Sequence, residues 1–283
     1  MSAFQVPRAL LSACVARALA EDLGGRGDIT TDSVVPADAA GRFEICTRSE
    51  GVLAGAVVAT EVFRQIDPAL DIDWHLDDGA TMSPGLCVAT IEGAARSVLT
   101  AERTALNFLG RLCGIATLTR RFVDAVADTG ASIAHTRKTT PGLRALELAA
   151  VAAGGGRPHR FGLDDAVLIK DNHVAVAGGV GEAVRTARAA TGHMVRVAVE
   201  IDRLDQLGDA IDAGADGVLL DNFATADLEQ AVANADGRVL LEASGAVTLD
   251  NVRAVAGTGV DVISIGAITH SAPCLDLGLD SRI

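Results

Sequence analysis

Tyrosine is missing from this 283-residue chain, and seven Phe and one Trp are its only aromatics. That is too few for a base-stacking platform on single-stranded nucleic acid. Basic charge is short as well: 24 Lys+Arg stand against 37 Asp+Glu, for a formal net charge of -13. Such a chain lacks the positive field that draws in a duplex or an anionic membrane, so neither is expected as a partner. No uncharged run approaches the ~20 residues of a membrane span. Nor does a basic flank lead into an apolar run at the N-terminus. The five cysteines (Cys14, Cys46, Cys87, Cys113, Cys274) are odd in number, scattered and without Cys-x-x-Cys spacing. They read as buried thiols in a reducing cytoplasm. What the chain does have is 49% apolar residues, enough to bury a large core, and a length of roughly two domains.

Lysine is the most informative shortage. Only Lys138 and Lys170 are lysines among the 24 basic residues. Where charge alone is needed Arg has replaced Lys, so the two that remain mark positions for a compact ammonium that a planar guanidinium does not fit. Chance retention at the surface is the alternative.

Pro7 to Leu23 has helical spacing and ends in Gly-Gly. Strand-like pieces follow at Arg42–Arg48, Ile72–Leu76 and Leu86–Ile91, punctuated by Asp77-Asp78-Gly79 and Ser83-Pro84-Gly85, with a helix at Val57–Gln65. From Arg96 to Ala127 the pattern is helical, with a break expected near Gly114. Then the rhythm changes. Short β-branched runs end at Thr136, Lys170, Glu200, Asp221, Glu242 and Ile265, and the last four begin near Val195, Gly217, Arg238 and Asp261. A step of about 22 residues is one βα unit. Ala213-Gly214-Ala215-Asp216 and Thr258-Gly259-Val260-Asp261 are nearly one phrase, each preceding an apolar strand. Repeated βα units with apolar strands call for a parallel sheet. No Gly-x-Gly-x-x-Gly follows the first strand, which disfavours the dinucleotide-binding version. The expected fold is α/β: an open or incomplete (β/α) barrel of six strands preceded by an α+β N-terminal domain. The division predicted is 1–112 for the N-terminal domain, 113–272 for the barrel and 273–283 for a tail packing back on the N-terminal domain.

In a barrel the active face lies at the carboxyl ends of the strands. The six strands run into His135-Thr136-Arg137-Lys138, Lys170-Asp171-Asn172-His173, Glu200, Asp221-Asn222, Glu242-Ala243-Ser244-Gly245 and Gly266-Ala267-Ile268-Thr269-His270. One or two polar strand ends are expected of any sheet, but six of six argue for a site. Between Arg137 and Lys170, six cations (Arg137, Lys138, Arg144, Arg157, Arg160, Lys170) face three acids (Glu147, Asp164, Asp165) in an otherwise acidic chain. With His159 and the Gly154-Gly155-Gly156 run, this suits a small substrate with several carboxylates or phosphates. Glu200 and Asp221 suit Mg²⁺ or a developing cation, although each alone reads equally as a strand-end cap.

Glu21-Asp22-Leu23 with Gly27-Asp28-Ile29-Thr30-Thr31, Glu102-Arg103-Thr104-Ala105-Leu106-Asn107, Thr136-Arg137-Lys138-Thr139-Thr140-Pro141-Gly142-Leu143-Arg144 and Leu168-Ile169-Lys170-Asp171-Asn172-His173 occur in that order. Leu220-Asp221-Asn222, Glu242-Ala243-Ser244-Gly245 and Gly266-Ala267-Ile268-Thr269-His270-Ser271 complete the series. In these motifs, from about residue 21 to 271, the chain resembles quinolinate phosphoribosyltransferase, the decarboxylating nicotinate-nucleotide pyrophosphorylase family. The resemblance implies quinolinate, 5-phosphoribosyl 1-pyrophosphate and Mg²⁺ as ligands. It implies nicotinate mononucleotide, CO₂ and pyrophosphate as products, in de novo NAD biosynthesis, and a homodimer or assembly of dimers with composite sites. It assigns quinolinate to Arg137, His159, Arg160 and Lys170, with Arg103 arriving from the partner subunit. It assigns the sugar pyrophosphate to Lys138, Lys170, Glu200, Asp221, Ser244, Gly245, Gly266 and His270, with Lys138, Glu200 and Asp221 as the catalytic set and Glu200 and Asp221 facing Mg²⁺.

The sequence departs from the family pattern at His135, where Asp is usual, at Ala246 in place of a second Gly, and at Leu148-Ala149-Ala150, where Lys-Tyr-Ala usually follows Leu-x. Two other readings compete: a Schiff-base lyase with Lys170 as nucleophile, and an anion-binding protein without catalysis.

Overall fold

The computed structural model describes residues 6–281. Its strands, in chain order, are β1 (Ala40–Thr47), β2 (Gly51–Val52), β3 (Asp71–Trp74), β4 (Thr81–Met82), β5 (Cys87–Ala94) and β6 (Ser132–Ala134). They continue as β7 (Val167–Ile169), β8 (Val197–Ile201), β9 (Gly217–Asp221), β10 (Leu240–Ser244), β11 (Val262–Ser264) and β12 (Leu277–Ser281). The chain forms two units. One comprises Met1–Arg120, Thr139–Gly155 and Ala267–Ile283; the other comprises Arg121–Lys138 and Gly156–Gly266.

The first unit is α+β. Its main sheet has the order β12-β1-β5-β3, with each neighbouring pair antiparallel, and β2 pairs with β4 apart from it. Alternation along β1 buries Phe43 and Ile45, while Val58, Val62 and Phe63 form the buried face of helix Ala56–Ile66. Helix Arg8–Leu23 buries Leu11, Cys14, Val15 and Leu19 at helical spacing and stops at Gly24, whose φ of 52° ends it.

Two expectations are corrected here. Helix Ala95–Ala125 runs unbroken through Gly114. The glycine is there for proximity: a Cβ on it would lie 1.9 Å from the Pro273 carbonyl oxygen. The cysteines are not five buried thiols either. Cys46 and Cys87, on neighbouring strands, are paired as a disulfide, and Cys274 is exposed. Cys14 and Cys113 are buried free thiols, and burial pushes the Cys113 thiol up to about 12.

The second unit is built on six parallel strands in the order β6-β11-β10-β9-β8-β7. This is a cyclic order with one gap. The first strand pairs with the last, each later strand with its sequence neighbour, and only β6 and β7 are left unpaired with each other. The sheet is therefore a (β/α) barrel opened at a single seam. Its strands are apolar (Val197, Val199 and Ile201; Val218, Leu219 and Leu220; Leu241; Ile263), as burial on both faces requires.

The repeated Gly-x-Asp phrase has a structural cause. Asp216 accepts the Val197 N–H at 2.6 Å, and Asp261 accepts the Leu241 N–H at 2.8 Å. Each carboxylate thus satisfies a main-chain donor at the start of the neighbouring strand, where the ladder has no partner for it. Among the described residues, no helix is long and apolar enough to cross a membrane.

Candidate active site

Polar groups gather at the carboxyl ends of the six barrel strands. Lys170 follows β7 directly, and its Nζ is ion-paired with Glu200 Oε2 on β8. An ammonium held this way is a poor nucleophile for Schiff-base chemistry. The Lys170 N–H donates to His173 Nδ1 at 2.9 Å, which caps helix Asp171–Ala177 and fixes where the lysine leaves the strand.

Asp221 closes β9 beside β8. Its Oδ2 accepts from Asn222 Nδ2 at 2.9 Å, and the Asn222 N–H donates to the Ser244 carbonyl at 2.9 Å, tying the ends of β9 and β10 together. Gly245 is required at this point: its φ is 125°, and a Cβ would lie 2.2 Å from Asn222 Oδ1. Glu200 and Asp221 open into a cavity of about 270 Å³ that Asp171, Asp202, Arg203 and Gln206 also line. Sequence reading left out Asp202 and Arg203. The alternation Glu200-Ile201-Asp202 at a strand end was the signal available.

Across the seam side, Arg157 runs alongside β6, donating its N–H to the Ile133 carbonyl at 2.7 Å. The segment after Gly156 is therefore extended rather than helical, and it carries His159 and Arg160 to the strand ends. Burial, and then the Arg137 charge, pull the Arg160 guanidinium below its ordinary value, with Asp165 opposing. Arg160 Nε is buried without a hydrogen-bond partner among the described residues. Half-buried guanidiniums that feel one another's charge suit an anion.

His159 is engaged at both ring nitrogens. Nδ1 accepts the Arg160 N–H at 2.8 Å, and Nε2 faces Glu242 Oε2 at 3.3 Å. His135, buried, accepts the His159 N–H through Nε2 at 3.0 Å. An aspartate there would accept the same N–H, so the departure from the family residue keeps the hydrogen bond. Lys138 is exposed on the loop after β6, in a turn closed by its N–H to Thr136 Oγ1.

In the first unit, Arg103 is exposed on helix Ala95–Ala125, with no ion pair or side-chain hydrogen bond among the described residues. His270 is exposed at the end of a short helix, its Nδ1 2.6 Å from Ser271 Oγ. Glu147, counted above as one acid among six cations, is fully buried. It accepts from Arg111 and from both the N–H and hydroxyl of Thr140.

A barrel open at one seam, with basic side chains and a carboxylate-lined cavity at its strand ends, has the layout of an α/β enzyme. The comparisons give the class. Residues 28–113 match the quinolinate phosphoribosyl transferase N-terminal domain, and residues 115–280 match the C-terminal domain of that same family. The chain is 46% identical over 274 residues to nicotinate-nucleotide pyrophosphorylase [carboxylating] of Mycobacterium leprae, covering 94% of this chain and 95% of the relative. It is 37% identical over 280 residues to quinolinate phosphoribosyltransferase [decarboxylating] 2b, mitochondrial, of Nicotiana tabacum, covering 93% and 79%. The solved nicotinate-nucleotide pyrophosphorylase of Francisella tularensis superposes with a TM-score of 0.95 at 40% identity, over 100% of this chain and 99% of that one. The chain belongs to the quinolinate phosphoribosyltransferase family.

Proposed function

We propose that this protein transfers the phosphoribosyl group of 5-phosphoribosyl 1-pyrophosphate to quinolinate with loss of CO₂, giving nicotinate mononucleotide and pyrophosphate in NAD biosynthesis. The observation that carries the reading is the gathering of Lys170, Glu200 and Asp221 at the ends of the adjacent strands β7, β8 and β9, with Lys170 ion-paired to Glu200, which offers a cation to an anionic substrate and carboxylates to a developing cation. Lys170 and the main chain around His159 complete the grip on the two carboxylates, and Arg103 of a second copy closes the pocket in a homodimer.

The sugar pyrophosphate lies along Lys138, Ser244, Gly245, Gly266 and His270. As pyrophosphate leaves, positive charge builds at the ribose carbon, and the Glu200 and Asp221 carboxylates stabilise it. The quinolinate nitrogen takes that carbon. Once ribosylated the ring is cationic; when the adjacent carboxylate departs as CO₂, the electron pair stays on the ring carbon beside the positive nitrogen, and that carbon takes a proton from water to give nicotinate mononucleotide. No protein nucleophile is consumed.

The oxygen donors of Glu200 and Asp221 fit Mg²⁺, a hard cation that keeps waters and is held by one or two carboxylates plus substrate phosphates. Bound there, Mg²⁺ would neutralise the leaving pyrophosphate. The reaction belongs in the cytoplasm, where the chain's acidic surface keeps it soluble. The test is direct: incubate the protein with quinolinate, the sugar pyrophosphate and Mg²⁺. CO₂ and nicotinate mononucleotide should appear in equal amounts. Binding of both substrates without either product would mean an anion-binding protein instead.

A further inference from the structure

Glu242 does work that packing does not explain. It sits in the middle of the buried stretch of β10, is 9% exposed, and its Oε1 is buried without a hydrogen-bond partner among the described residues. A buried carboxylate oxygen left unsatisfied lowers stability, and an apolar side chain of similar length would pack there at no such cost. The other oxygen, Oε2, meets His159 Nε2 at 3.3 Å.

The hydrogen bond to His159 leaves one assignment of its ring proton. Nδ1 accepts the Arg160 N–H at 2.8 Å, so the proton is on Nε2, which lies 3.3 Å from Glu242 Oε2. His135 takes the main-chain N–H of His159 on Nε2 at 3.0 Å, so its own proton is on Nδ1, which faces the Thr136 carbonyl at 3.2 Å. The two rings stand edge to face, 6.3 Å apart. The loop that carries Arg160 is therefore pinned at its main chain by His135 and at its imidazole by Glu242. What it is pinned against is the repulsion between Arg160 and Arg137.

We infer that Glu242 is a positioning residue for the dicarboxylate subsite: by holding His159 as the Nε2–H tautomer, it fixes the Arg160 main chain and keeps the two guanidiniums together for the substrate. The inference rests on the functional reading above. His159 then acts through Arg160 rather than by donating to the substrate, because both of its ring nitrogens are already engaged.

The test uses the full-length protein, histidine labelled with ¹⁵N, and quinolinate and the sugar pyrophosphate as separate ligands. In the wild type, long-range ¹H–¹⁵N spectra, assigned with His159→Gln, should show His159 as a fixed Nε2–H tautomer. Glu242→Met removes the acceptor at similar length. The His159 signals should collapse to exchanging tautomers, and quinolinate Kd should rise by about tenfold or more, with affinity for the sugar pyrophosphate unchanged. Glu242→Gln keeps one acceptor oxygen and should restore the tautomer and quinolinate affinity to within about threefold.

A Met variant with wild-type quinolinate affinity, or a wild-type His159 protonated on Nδ1, overturns the inference. Should the Met variant not fold, the wild-type spectrum still decides. Wild-type protein that binds no quinolinate overturns the functional reading itself, and this inference with it.

Discussion

Lys170 and Glu200 form an ion pair across the carboxyl ends of β7 and β8, so one of the chain's two lysines is locked to a carboxylate that also lines the strand-end cavity. A wider, planar guanidinium at 170 cannot keep that contact and still reach the ligand from the same backbone position. Lys170→Arg is therefore expected to lose at least about tenfold in kcat/KM despite conserving charge. Lys138→Arg, on the exposed loop, should behave alike. Steady-state kinetics of both variants check this, and near-normal turnover in the two together would make the survival of these lysines accidental.

Gly245 gives a prediction that separates geometry from charge. Ala at this position places its Cβ on Asn222 Oδ1 and demands a φ that side chains avoid. Asn222 is then displaced from Asp221. Gly245→Ala should lower kcat strongly while removing no functional group, and cost about 1–3 kcal/mol of stability. Activity and denaturant unfolding, measured side by side, give both numbers.

The acid limb of stability has an identifiable contributor in Asp216. Burial raises its pKa, but the Val197 N–H and the Arg188 guanidinium outweigh that, so the net value lies below the ordinary 3.8. A depressed carboxylate stabilises the fold above its unfolded pKa, and that stabilisation is lost as pH falls through the folded value. Asp216→Asn should therefore cost roughly 1 kcal/mol at pH 7 for a partly exposed group. The deficit should shrink below pH 4, a convergence that urea unfolding at several pH values would reveal.

Arg103, exposed and without an ion pair or side-chain hydrogen bond among the described residues, is suited to serve a neighbouring copy. In a two-fold dimer each site takes Arg103 from one chain and Lys138 from the other. Arg103→Ala and Lys138→Ala homodimers should each be nearly inactive. Mixed dimers should regain activity, because both lesions fall in one site and leave the other whole. Subunit exchange confirmed by mass spectrometry without recovered activity would remove Arg103 from the interface.

Gly114 supplies the last prediction, one about packing alone. Gly114→Ala would press a methyl group into the Pro273 carbonyl, which a main chain tied down at Leu275 by its N–H to the Gly110 carbonyl cannot readily evade. A loss of about 3 kcal/mol is expected, even though alanine is the better helix former. Thermal or denaturant unfolding would measure it.

The sequence by itself determined the local elements and their order. Helical and alternating apolar spacing is written into consecutive residues, and a strand's polar end follows it directly, so the βα step and the strand-end groups from His135 to His270 were readable without a fold. The tertiary structure decided what depends on residues distant along the chain. The pairing of β6 with β11, which makes the sheet a ring with one seam, joins segments 130 residues apart. The Cys46–Cys87 bond appeared only once β1 and β5 were set side by side. Gly114 read as a helix break because glycine favours breaks, and only the Pro273 carbonyl shows that it makes room instead. The tautomers of His135 and His159 are likewise assigned by the main-chain N–H groups of His159 and Arg160 that donate to them, since a ring proton goes where the surrounding hydrogen bonds leave it.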